Sequence, residues 1–118
     1  MKSLTRSSPR SVRPGDLTET ITIEQRTRAD DGHHGARTTW GAFTEIAASV
    51  EPLYVGERDA AAGNRAVTTY RFTIYALDGL DETMRIAWSG RTFSIRGIRR
   101  GAARELFTEI IAESGGGD

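Results

Sequence analysis

Asp30-Asp31-Gly32-His33-His34 gathers residue types that ligate metals, and it is the first place in this 118-residue sequence to look for chemistry. Neighbouring histidines in a strand or tight turn point apart. No cysteine and no third histidine is present to complete a set, and the spacing fits neither a zinc motif nor a calcium loop. The segment reads as a solvated hairpin tip, with no metal. The carboxylates Asp78, Asp81 and Glu82 cluster in a turn, where solvent leaves their acidity ordinary. Arg91, Arg96, Arg99, Arg100 and Arg104 form a basic stretch near Trp88 and Phe93. Such a set could grip a nucleic-acid backbone while the aromatics stack bases. The apolar alternation instead wants both aromatics inside and the arginines outside, leaving an Arg99-Arg100-Gly101 turn open to an acidic protein partner. There is no Cys nucleophile, no Gly-x-Ser-x-Gly elbow, no P-loop and no dinucleotide fingerprint. Neither an enzyme nor a cofactor is expected.

The elements that must position these residues are strands. Mostly apolar side chains recur at every second position: Ile21 and Ile23; Ile46, Ala48 and Val50; Tyr70, Phe72 and Ile74; Met84, Ile86 and Trp88; Phe93 and Ile95; Leu106 and Ile110, with Thr108 between them in the same phase. One apolar and one polar face is the mark of half-buried antiparallel strands. Ser89-Gly90 is a two-residue hairpin loop, and residues 77–81 form a turn cluster. The last segment, 104–113, also fits a helical face, but β-branched Thr108, Ile110 and Ile111 favour a strand. About six such strands predict an all-β fold, a small antiparallel barrel or sandwich.

Composition sets the outer bounds. The length suits one domain able to bury a single core. Sixteen basic and sixteen acidic residues cancel, so the chain lacks the footprint of a dedicated DNA binder. Fifteen of the basic residues are arginine, a bias that codon usage in a GC-rich genome accounts for. No apolar run is long enough for a membrane span, and no secretory signal is evident. Residues 1–16 carry Lys2, Arg6, Arg10 and Arg13 among Ser, Pro and Gly, and read as a flexible basic arm. Residues 17–113 form the domain and 114–118 a loose tail.

One segment breaks the pattern. After Ala48-Ser49-Val50-Glu51 comes Pro52-Leu53-Tyr54-Val55-Gly56-Glu57-Arg58-Asp59-Ala60-Ala61-Ala62-Gly63-Asn64-Arg65, before a strand resumes at Val67. Loops this long are uncommon in compact domains and usually carry function. Residues 57–62 suit one or two helical turns, with Gly63-Asn64 as a stop. Gly56 and Gly63 read equally as loop punctuation or as a pair of hinges.

The order of motifs goes further. Ile21-Thr22-Ile23-Glu24-Gln25-Arg26 is followed by Asp-Gly, Thr39-Trp40, and Ala47-Ala48-Ser49-Val50-Glu51-Pro52-Leu53. Gly56-Glu57, an Ala-rich segment, Phe72-Thr73-Ile74-Tyr75, Met84-Arg85-Ile86 and Gly90-Arg91-Thr92-Phe93-Ser94-Ile95 complete the series. Over residues 17–113 this set resembles the head-tail joining (head-closure, or stopper) proteins of long-tailed bacteriophages, including those of phage-like gene transfer agents. The resemblance implies a β-barrel that assembles as a dodecameric ring in the virion neck, from a protein made in the bacterial cytoplasm that can be monomeric in solution. One face would sit on the adaptor that caps the portal, and the other would receive tail terminator or tail tube proteins. Residues 52–66 would project into the channel and retain the double-stranded DNA, with Glu57, Arg58, Asp59 and Arg65 lining the lumen. No membrane and no small-molecule substrate is implied. Two features depart from the family pattern: the basic arm with Arg6, Arg10 and Arg13, and His33-His34. With Arg99 and Arg100 they are candidates for partner or subunit contacts. The rival readings are another ring protein of the neck, such as a tail terminator, and an OB-like module for single-stranded nucleic acid.

Overall fold

The computed structural model describes residues 12–30, 36–60, 63–101 and 106–114, with side chains described except at 28–30, 36–37, 54–60 and 63–66. A short 3-10 turn at Pro14–Asp16 leads into six strands: β1 (Glu19–Asp30), β2 (Ala36–Ala60), β3 (Gly63–Tyr75), β4 (Arg85–Trp88), β5 (Arg91–Gly101) and β6 (Phe107–Ser114). They close into an antiparallel barrel in the order β1-β2-β3-β6-β5-β4. The all-β barrel expected from the alternation is therefore what forms. The expected arm ends in the 3-10 turn, where the Arg13 N–H donates to Asp16 Oδ2 at 2.9 Å. β6 runs on into the expected tail, through a buried Ser114.

Each strand delivers alternate side chains to one core. Ile21 and Ile23, Phe72 and Ile74, Met84 and Ile86, Phe93 and Ile95, and Ile110 and Ala112 are all buried there. Full burial of each large apolar side chain contributes about 1.5–3 kcal/mol. In β6 the alternation begins one step later than expected. Thr108, Ile110, Ala112 and Ser114 point inward, whereas Leu106 precedes the strand and is exposed. Phe107, on the other phase, is nonetheless buried, its ring stacked 5.4 Å from that of Tyr75.

Ser89-Gly90 makes the expected hairpin turn, joining Trp88 to Arg91. Both residues have positive φ, 55° and 77°, which suits a tight hairpin connection between twisted strands.

β2 governs the shape. It has 25 residues, where strands usually have about 5–6. Residues 36–48 pair with β1, and from Ser49 onward the partner is β3. One strand thus forms an arm of two hairpins, which extend from opposite ends of the barrel. β1 leaves β4 after Glu24, so Gln25 to Asp30 pair with β2 alone among the described residues. β3 leaves β6 after Thr68, opposite Ser114, so Val67 back to Gly63 pair with β2 alone among the described residues.

Candidate functional site

The segment expected to be an irregular loop is ordered strand backbone. Tyr54, Val55, Gly56, Glu57, Arg58, Asp59 and Ala60 pair in sequence with Thr69, Thr68, Val67, Ala66, Arg65, Asn64 and Gly63. The optional short helix does not form. A one- or two-turn helix is marginal without tertiary support, while Tyr54, Val55, Val67, Thr68 and Thr69 favour extended chain and satisfy their backbone groups across the ladder. From Pro52, opposite Tyr70, to Ala60, the ribbon spans about 26 Å at roughly 3.3 Å per residue. Residues 61 and 62 lie outside the described residues.

The ribbon's root is heavily anchored on its barrel side. The Tyr70 ring makes edge contacts with Trp88 (5.5 Å) and Phe93 (5.4 Å) and a tilted one with Phe72 (5.9 Å). Arg91 lies over the rings of Phe93 (5.2 Å) and Tyr70 (5.9 Å), and the Trp88 indole N–H donates to Glu19 at 3.3 Å. On the outer face, ion pairs cross four strands. Arg71 meets Glu51 at 2.7 Å and Glu109 at 4.0 Å, and Arg99 meets Glu109 at 3.6 Å. One exposed apolar residue, Leu53, sits where the β2–β3 register skips, a bulge between Pro52 and Tyr54.

The opposite ribbon has a different root. Its bulge residue in β2 is Phe43, which packs against the core and against the turn at Gly79. Gly79 has φ +86°, and a Cβ there would come within 3.1 Å of the Phe43 ring. Trp40 lies between two guanidinium groups, Arg85 at 4.2 Å and Arg26 at 5.7 Å, and Arg85 Nε donates to Glu24 at 2.6 Å. A shallow cleft of about 240 Å³ opens beside Trp40, Arg85 and Arg96.

The remaining sequence candidates fall as follows. Arg99 and Arg100 belong to β5 rather than to a turn. Arg99 is ion-paired and largely exposed, and Arg100 donates to the Leu80 carbonyl. Arg13 is exposed beside the 3-10 turn. Arg6, Arg10, His33, His34 and Arg104 lie outside the described residues. Asp81 departs from the ordinary acidity expected of its turn. The Thr83 hydroxyl and backbone N–H both donate to its carboxylate, and with Arg100 nearby they hold its pKa below the usual value. Phe93 is fully buried and Trp88 half-buried against the core, so they form no base-stacking platform. Among the described residues, no group of three His, Cys, Asp or Glu is placed to hold a metal ion.

Sequence reasoning missed Glu24, Trp40 and Arg85 as a unit, and missed the ladder of Glu51, Arg71, Glu109 and Arg99. Glu24 and Arg85 are 61 positions apart. Their only advance signal is that each occupies a polar position on a strand, which many residues share.

Comparisons with known proteins bear on this geometry. A family profile described as phage head completion protein matches residues 12–115. A chain from the virion of a native gene transfer agent particle superposes with a TM-score of 0.70 at 20% identity, covering 84% of this chain and 94% of that one. Protein SF1141 from Shigella flexneri 2a, solved in solution, gives a TM-score of 0.67 at 25% identity, covering 91% of this chain and 100% of that one. No curated protein sequence matches the chain.

Proposed function

The chain belongs to the phage head completion protein family, whose members are structural rather than enzymatic, and from that premise we propose that it closes the DNA-filled head and joins it to the tail as a ring in the virion neck. Twelve copies would stack on the adaptor-capped portal and receive the tail on their other face. The β2–β3 ribbon would reach into the axial channel and retain double-stranded DNA until ejection.

The observation that carries this reading is the ribbon itself, which from Gly56 to Ala60 runs beyond the end of β6 and projects about 17 Å from the barrel at roughly 3.3 Å per residue. Its sequence carries Glu57, Arg58, Asp59 and Arg65, charges of both signs that neighbouring copies would pair around a lumen. Each exposed pair would be worth at most about 1 kcal/mol, but a ring repeats it in every copy. A two-stranded ribbon is marginally stable in water by itself, so neighbours that cover its free edges would stabilise it. The likeness to a chain of a gene transfer agent virion supports a particle setting of this kind.

Deletion of residues 57–65 tests the reading. Rings should still assemble on portal–adaptor complexes, because the barrel and its anchored root remain, while filled heads lose DNA. Normal DNA retention in such particles would refute the gating role.

A further inference from the structure

We infer that the projecting part of the β2–β3 ribbon has one basic and one acidic face, and that its partner is the same ribbon of the next copy of this chain, basic face against acidic face. Such pairing requires the ring proposed above and rests on that reading.

Residues 56–67 contain four charged residues, Glu57, Arg58, Asp59 and Arg65. The ladder decides how they are divided. Successive positions of a strand alternate between its two faces, and directly paired positions share a face. The pairing Arg58↔Arg65 therefore places both arginines on one face. The pairings Glu57↔Ala66 and Asp59↔Asn64 place both carboxylates on the other, opposite uncharged residues. No register shift interrupts the ladder from Tyr54↔Thr69 to Ala60↔Gly63, so the division holds along the whole projection. Within β3, Phe72 lies in the core and Arg71 pairs with Glu51 on the outer face. Counting back by twos, the arginine face continues the outer surface of the barrel and the carboxylate face continues its core side.

This division disfavours a ribbon standing alone. Like charges directly opposite one another destabilise a ladder, and Arg58 faces Arg65 in that way. A carboxylate face would relieve the repulsion, yet the ribbon's own lies on its reverse side. The two faces can meet only between copies. A two-fold contact would set each face against itself, arginines on arginines or carboxylates on carboxylates. Head-to-tail contact sets opposite charges together at every junction, and it is the kind of contact that closes into a ring. Two arginines and two carboxylates also cancel, so the contact repeats without accumulating charge. The opposite ribbon is not divided in this way. Arg26, Arg28 and Asp30 share one of its faces, and the charged position on the other is Arg37.

The absence of cysteine makes site-directed crosslinking direct. Ala60→Cys lies on the arginine face and Ala66→Cys on the carboxylate face, and neither removes a charge. In necks assembled on portal–adaptor complexes, a short bismaleimide should link chains carrying both cysteines into ladders of three or more copies. Each single-cysteine variant should crosslink about tenfold less. Abundant dimers of a single-cysteine variant would mean that like faces or strand edges meet, and would overturn the inference. Charge reversal gives a second test in the double-cysteine background. Arg58→Glu with Arg65→Glu makes both faces acidic, and Glu57→Arg with Asp59→Arg makes both basic. Each alone should lower crosslinking about fivefold, roughly the worth of one exposed ion pair. An equal mixture of the two should recover to within about twofold, because alternate copies again present opposite charges. A mixture that does not recover overturns the inference. If no ring forms on the portal–adaptor complex by electron microscopy, the proposed neck function fails; if the ring forms without these crosslinks, only the ribbon pairing does.

Discussion

Asp81 illustrates how a single turn residue acquires a pH dependence that its exposure would not suggest. Thr83 donates both a hydroxyl and a backbone N–H to it, and these bonds favour the ionised form. Its native pKa is therefore below the unfolded value. The resulting stabilisation is fully present above the unfolded carboxylate pKa and disappears as pH falls through the lowered native one. Asp81→Ala should accordingly destabilise the domain more at neutral pH than in acid, with the difference shrinking on acidification. Chemical denaturation of both proteins across that range measures it; a difference independent of pH would assign the effect to packing of the turn instead.

At the scale of elements, the useful comparison is between the two ribbons that share β2. Both leave the barrel where a third strand ends, and both have a bulge near that point. The β1–β2 ribbon is stiffened by Phe43 under the Gly79 turn and by Trp40, whose two guanidinium contacts are worth about 0.5–1 kcal/mol each at an exposed site. Phe43→Ala should remove the wedge. Amide hydrogen exchange in residues 25–28 and 38–41 should then accelerate about tenfold or more, approaching that of the β2–β3 ribbon, a change equivalent to roughly 1.4 kcal/mol of lost protection. Unchanged exchange would place the bracing in Trp40 alone.

For the whole molecule, closure of the barrel and packing of its core are concentrated between the two ribbon-bearing ends. β1 and β4 close the sheet through only three paired positions, Thr22, Ile23 and Glu24, so closure relies on side chains packed beneath. Phe93 is central to that packing, fully buried and in ring contact with Tyr70, Phe72 and Trp88. Phe93→Ala should cost about 3–5 kcal/mol of global stability, a large share of the 5–15 kcal/mol typical of a domain. Urea titration should show the loss as a lower midpoint with the same slope. The same cluster anchors Tyr70, so this variant should also loosen the ribbon's root.

Much of the barrel was legible in the chain because strand formation is governed by local alternation. Ile21 and Ile23, Phe72 and Ile74, and Phe93 and Ile95 each announce which face is buried, and Ser89-Gly90 announces its turn. The family pattern was legible as well, being an order of short motifs along the chain. The backbone of residues 52–60 was not, because Glu57, Arg58 and Ala60 carry no strand signal; they are extended because β3 lies beside them. Nor was the contrast between Phe43 and Leu53, since whether a bulge is packed depends on a turn some 36 residues further along the sequence. The charges and glycines of the 52–65 segment were thus set by sequence alone. Whether that segment is an irregular loop or a paired ribbon was decided by cross-strand pairing, which brings distant residues together and which no local pattern encodes.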